Sequence, residues 1–117
     1  MNLDNPVINL CQQGAEDEYH GKLDQACMKY HRAWDIAQDD YDACIAAHYM
    51  ARCQKSDQEI LHWNLVALMH ANQCIDERIA HFWGSLYVNL GQSYENLGEQ
   101  QEAKLYFKRA ADHGIQH

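Results

Sequence analysis

The stretch LYVNLGQSYENLGEQQEAKLYFKRAA, from Leu86 to Ala111, decides how the chain reads. It sets small residues among large ones at helical steps: Leu90-Gly91, Tyr94, Gly98, Ala103, Phe107 and Ala110. A glycine inside a helix costs about 1 kcal/mol relative to alanine. Gly91 is therefore expected where a second helix must approach closely. Gly98 supplies the positive φ of a tight turn. Ala103 and Ala110 leave room on the returning helix, and Leu90, Tyr94 and Phe107 fill the space around them. The stretch predicts two antiparallel helices joined by a short turn.

Working outward, the spacing predicts four more helices. The first runs from about Asn5 to His20 and stops at Gly21, a residue suited to the C′ position. The second covers Lys22 to Gln38, with Leu23, Ala26, Tyr30, Ala33 and Ala37 at helical steps. The third is capped by Asp39-Asp40 and continues to about Gln54. SDQE, Ser56 to Glu59, has the spacing of a capping box and opens a fourth helix to about Asn72. That helix carries two apolar stripes, Leu61/Leu65/Leu68 and Ile60/Trp63/Ala67/Ala71, as expected of a helix packed on two sides. The fifth is read from Asp76 to Leu97, with CIDERIAHFW (Cys74 to Trp83) extending its N-terminus. The sixth covers Glu99 to about His113. Short loops make successive helices antiparallel hairpins.

Composition agrees with an all-α chain. The 117 residues fit one domain, 47% are hydrophobic, and Pro6 is the single proline. The formal charge of −8 disfavours phosphate backbones and anionic lipid, so neither nucleic acid nor a membrane is expected as a partner. Five cysteines without a secretory leader predict reduced thiols and a cytoplasmic location.

Hairpins in series call for a test of internal periodicity. Residues 84–117 form one 34-residue unit. Within it Leu90, Gly91, Tyr94, Ala103, Phe107 and Ala110 match the pattern W-x2-L-G-x2-Y…A-x3-F…P, with Tyr87 in place of Trp and Ile115 in place of Pro. Residues 7–40 repeat it through Gly14, Gly21, Ala26, Tyr30 and Ala33. The middle unit, 41–83, is longer, and Leu61, Leu65 and Leu68 suit the three packing positions of its second helix. In its first helix Ala46-Ala47 and Ala47-His48 both fit the small pair. The chain thus resembles the tetratricopeptide repeat (TPR) family over nearly its whole length. It is also similar to a family of small bacterial tetratricopeptide proteins. The resemblance implies a single domain, 1–117: a right-handed α-solenoid of three TPR hairpins and six antiparallel helices.

The resemblance further implies a protein- or peptide-binding adaptor or scaffold with no chemistry of its own. Its concave groove would be lined by Ser85, Val88, Asn89, Gln92, Glu95 and Asn96 of the last unit. Ile45, Tyr49 and Arg52 would come from the middle unit, and Ile8, Cys11, Ala15, Glu18 and Tyr19 from the first. The strongest candidates are Tyr49, Arg52, Ser85, Asn89, Gln92, Glu95 and Asn96. The lining is polar and weakly acidic. It lacks the several donors that gripping a peptide's carboxylates would need, since Arg52 is its one cation.

No nucleotide-binding, hydrolase or metalloprotease motif occurs, and neither an enzymatic role nor a cofactor is expected. Cys27/His31, Cys44/His48, His70/Cys74 and His113/His117 share helix faces at i,i+4. Small buried cysteines explain such pairs equally well, and no metal is expected. The alternative function is structural. Arrays need polar ends, and the side of the last helix carrying Ala103, Tyr106, Phe107 and Ala110 is read as only partly covered. A homodimer through that helix would cover it.

Overall fold

Six α-helices and one 3₁₀ segment make up the computed structural model, which describes residues 5–114; no strand occurs among the described residues. In chain order the helices are α1 (Pro6–Tyr19), α2 (Leu23–Ile36), α3 (Asp40–Ala51), α4 (Asp57–Gln73), α5 (Trp83–Asn96) and α6 (Gln100–Asp112), with the 3₁₀ segment (Glu77–Phe82) before α5. Consecutive helices pair as α1–α2, α3–α4 and α5–α6, and the pairs join through α2–α3, α1–α3 and α4–α5. Among the described residues no helix is long and apolar enough to cross a membrane. Ile115 and His117 lie outside the described residues, so the expected His113/His117 pair does too.

Local chemistry accounts for the ends. The Asn5 side chain accepts from the Val7 and Ile8 N–H groups ahead of Pro6, satisfying donors that a helix start leaves open. Its amide also donates to Asp42 Oδ1 at 2.8 Å, fastening the start of α1 to α3. Ser56 Oγ accepts from the Glu59 N–H at 3.1 Å. A full capping box would have the Glu59 side chain accept from the Ser56 N–H; here it accepts from the Ser56 hydroxyl instead, at 3.0 Å.

The first and last hairpins follow one design. Gly21 and Gly98 turn the chain at φ +76 and +79, so residues 20–22 and 97–99 suffice as connections. Inside each hairpin a glycine faces a ring. A Cβ added to Gly14 would overlap Tyr30 Cε1, and one added to Gly91 would lie 2.6 Å from Phe107 Cδ1. Ala26, Ala33, Ala103 and Ala110, flanking those rings, are buried.

The middle hairpin departs from this design. It has no glycine at the turn, and no non-glycine residue among those described adopts positive φ. The chain uses a longer turn, 52–56, instead. The longer turn is taken from the end of α3, and α4 keeps the place in its unit that α2 and α6 have in theirs. The residues of α4 that match Ala26/Tyr30/Ala33 by distance from the helix start are Ile60, Asn64 and Ala67. Asn64, Ala67 and Ala71 are the buried residues of α4, whereas Leu61, Leu65 and Leu68 are half-buried. The expected packing stripe is therefore corrected by one residue. Ala46 and Ala47 of α3 are both fully buried.

A second correction concerns the start of the fifth helix. Asp76 caps as expected, accepting from the Arg78 N–H at 2.9 Å, but the segment after it winds as a 3₁₀ helix rather than as the first turns of α5. With three residues per turn, Ile79 and Phe82 fall on one edge, and both join the core with Tyr41 and Leu86. The Arg78 guanidinium lies 4.2 Å above the Tyr41 ring, and Phe82 meets the same ring edge-on. Helices α2 and α3 also end a little earlier than read, at Ile36 and Ala51.

Candidate functional site

On α5, Asn89, Gln92, Ser93 and Asn96 recur at the three- and four-residue steps that place side chains on one face. Across from them stand His48, Ala51 and Arg52 of the α3 end, and Ile60 and Asn64 of α4. Together they enclose a cleft of about 290 Å³. Asn64 fills less volume than the ring that occupies its place in the outer hairpins, which leaves room here.

Hydrogen bonds fix much of the wall. Asn64 Nδ2 donates to Ser93 Oγ at 2.8 Å, and both residues are buried, at 6% and 3% exposure. Asn89 Nδ2 donates to His48 Nδ1 at 3.1 Å, which places the imidazole proton on Nε2. Burial, followed by the nearby Arg52 cation, lowers the His48 pKa below its ordinary 6.5. Gln92 Nε2 donates to Asn96 Oδ1 at 3.0 Å and to Glu95 Oε1 at 3.3 Å. Both Gln92 and Asn96 are exposed.

Arg52 is committed elsewhere. Its Nε and Nη2 donate to the two oxygens of Glu18, both at 2.9 Å. Glu18 also accepts from the Tyr30 hydroxyl at 2.7 Å. Arg52 thus ties the middle hairpin to the first, and its charge is balanced within the fold. What the cleft offers is a set of neutral amides and the Ser93 hydroxyl, each able to donate and accept.

Of the residues read from sequence, Arg52, Asn89, Gln92 and Asn96 line this cleft. Tyr49 and Ser85 line a separate depression of about 130 Å³ with Ile45, Leu86 and Phe82. His48 borders both. Glu95 borders neither cavity and serves as an acceptor for Gln92. His48, Asn64 and Ser93 were not among the groove candidates. The signal for Ser93 was its place on the α5 stripe; Asn64 stood hidden between two apolar rows.

The residues read as a self-association face are distributed differently. Ala103 and Ala110 are 1% and 0% exposed within the protomer, and Phe107 lies against Gly91. Tyr106 is half-buried in a row of rings, stacked on Tyr94 at 5.6 Å and on Tyr87 at 6.1 Å. Its neighbour Leu105 is exposed. No group of three or more His, Cys, Asp or Glu side chains that could hold a metal ion occurs among the described residues.

Comparison with protein-family models, curated proteins and solved structures finds no match in any of the three.

Proposed function

We propose that the chain is a peptide- or protein-binding adaptor of the tetratricopeptide type, a right-handed array of three hairpins that receives its partner at the amide-lined cleft. The observation that carries this reading is the α5 stripe of Asn89, Gln92, Ser93 and Asn96 facing His48, Arg52 and Asn64 across an open cleft. Two identically built outer hairpins support the repeat reading. Neutral amides suit a peptide main chain, which presents alternating donors and acceptors. They do not suit a carboxylate, because Arg52 already serves Glu18.

Gln92 and Asn96 give the cleanest test, since they are exposed and hold no other helix in place. In affinity capture from the source cell, Gln92→Ala/Asn96→Ala is expected to lose the partner that the parent chain retains, at unchanged helicity. Equal capture by both proteins would remove the reading.

A second reading, a homodimer through α6, is favoured by one observation: Leu105 is 45% exposed next to the Tyr106 ring row. Because Ala103 and Ala110 are covered within the protomer, Leu105 and Tyr106 would form the contact. This reading predicts a concentration-dependent dimer that Tyr106→Glu dissociates. Light scattering that shows a monomer at high concentration would exclude it.

A further inference from the structure

Two cysteines from separate elements meet outside the amide-lined cleft. Cys27 stands in the second turn of α2 and Cys53 in the turn after α3, yet both line one cavity of about 240 Å³. Both are half-buried, whereas Cys11 and Cys44 are buried. Burial, followed by the neighbouring Cys27 thiol, pushes the Cys53 thiol up to about 12. The Cys53 thiol also donates to the Met50 carbonyl at 3.4 Å. Burial alone accounts for most of the rise of Cys11 and Cys44, also to about 12.

A disulfide requires its two α-carbons within about 7 Å and a sulfur–sulfur bond of about 2.05 Å. Here one partner sits on a helix and the other in a turn, and a turn adjusts more readily than a helix. The cavity carries Glu18 and Asp24 against Arg52 and Lys55. Two carboxylates against two cations give it no net charge, so an uncharged oxidant meets no electrostatic barrier at its mouth.

We propose that Cys27 and Cys53 form a reversible disulfide, a modification site that fastens α2 to the α3–α4 turn. The oxidant is a hydroperoxide, ROOH. The Cys27 thiolate attacks the terminal peroxide oxygen; the O–O bond breaks, ROH leaves after taking a proton, and Cys27 becomes a sulfenic acid. The Cys53 thiolate then attacks that sulfur. The S–O bond breaks, and hydroxide leaves as water with a proton from Cys53. Two thiols and one ROOH give one disulfide, one ROH and one water. Cys53 is the second to react because the Met50 carbonyl and burial hold its proton. Closure accelerates with rising pH for the same reason.

The test uses the full chain, reduced, dilute and treated with hydrogen peroxide at about pH 8, where more thiol is ionised. Free thiols are then blocked with N-ethylmaleimide and the protein is cut with trypsin. Cys27 falls in fragment 23–29 and Cys53 in fragment 53–55. The expected result is one linked species of these two fragments, lighter than their sum by two hydrogens and separated again by a reductant. Cys27→Ser and Cys53→Ser each abolish it. The proposal is overturned if the two fragments are recovered singly, whether alkylated or oxidised to sulfinic acid. It is equally overturned if either links to Cys11, Cys44, Cys74 or a second chain. The mapping of the parent protein decides the matter even if a serine variant fails to fold.

Discussion

The outer hairpins and the middle hairpin solve the same packing problem in opposite ways. In α1–α2 and α5–α6 a glycine lets an aromatic ring lie against the facing helix, and a second glycine makes the turn short. In α3–α4 the turn is longer, and a buried amide, Asn64, reaches past its own hairpin to Ser93 of the next. Each outer pair carries its own contact of ring against glycine. The middle pair depends on its neighbours: on α5 through Asn64 and His48, and on α1 through Arg52 and Glu18. The cleft lies where the ring of the outer hairpins gives way to polar contact.

The largest expected effect tests the outer design. Tyr30 is fully buried, with its hydroxyl on Glu18. Tyr30→Ala removes a core ring and is expected to cost about 3–5 kcal/mol. Urea unfolding followed by helical circular dichroism measures it. A cost under about 1 kcal/mol would mean that the first hairpin is not held by its ring.

The two glycines sharpen the comparison next. Gly14→Ala and Gly91→Ala each gain about 1 kcal/mol of helix propensity and lose about 1–3 kcal/mol to overpacking. The rings differ in their freedom to yield. Tyr30 is enclosed and anchored by its hydroxyl, while Phe107 is half-buried. Gly14→Ala is therefore expected to destabilise clearly and Gly91→Ala only slightly. The same unfolding assay compares them, and equal costs would show that anchoring is irrelevant.

The same contrast governs how much of the fold and the cleft was legible in the sequence. Glycine in a helix is costly, so Gly14 and Gly91 announced close contacts, and Gly21 and Gly98 announced turns. The α4 register was legible by count, since the steps from residue 7 to Ala26, Tyr30 and Ala33 lead from residue 41 to Ile60, Asn64 and Ala67, but the apolar pattern points to another row. Leu61, Leu65 and Leu68 look like better core residues than Ile60, Asn64 and Ala67, because the burial of Asn64 depends on Ser93, a partner distant in sequence. The 3₁₀ winding of Glu77–Phe82 was hidden because a step of three residues, as between Ile79 and Phe82, fits both helix types over so short a run. In the cleft, Asn89, Gln92 and Asn96 could be counted along one helix. His48 and Asn64 enter it only through packing between helices.

In the middle hairpin a smaller loss is expected. Asn64→Ala leaves the buried Ser93 hydroxyl without its donor, at an expected cost of about 1–3 kcal/mol. Adding Ser93→Ala removes the orphaned group as well, so the double variant should lose less than the sum of the single ones. Additive losses would indicate that the two side chains do not act as a pair. A loss as large as that of Tyr30→Ala would erase the distinction between packed and polar hairpins.

The smallest effect concerns the tie between hairpins. Arg52 and Glu18 are 48% and 23% exposed at their side chains, so solvent screens them and the pair is worth at most about 1 kcal/mol despite its two hydrogen bonds. Its signature is pH dependence rather than size. The Arg52 hydrogen bond, ahead of the opposing effect of burial, lowers the Glu18 pKa below its ordinary 4.5. A carboxylate with a depressed folded-state pKa stabilises fully above its unfolded value and loses that contribution as pH falls through the folded one. The parent chain should therefore lose slightly more stability than Glu18→Gln on acidification from about pH 5 to pH 3, with the two curves parallel above that window. Glu18→Gln keeps a hydrogen-bonding group for Tyr30, so the difference isolates the charge that Arg52 meets. Parallel curves through the whole range would show that Glu18 and Arg52 are neighbours without coupling, leaving Asn5–Asp42 and the apolar contacts to join the first two hairpins.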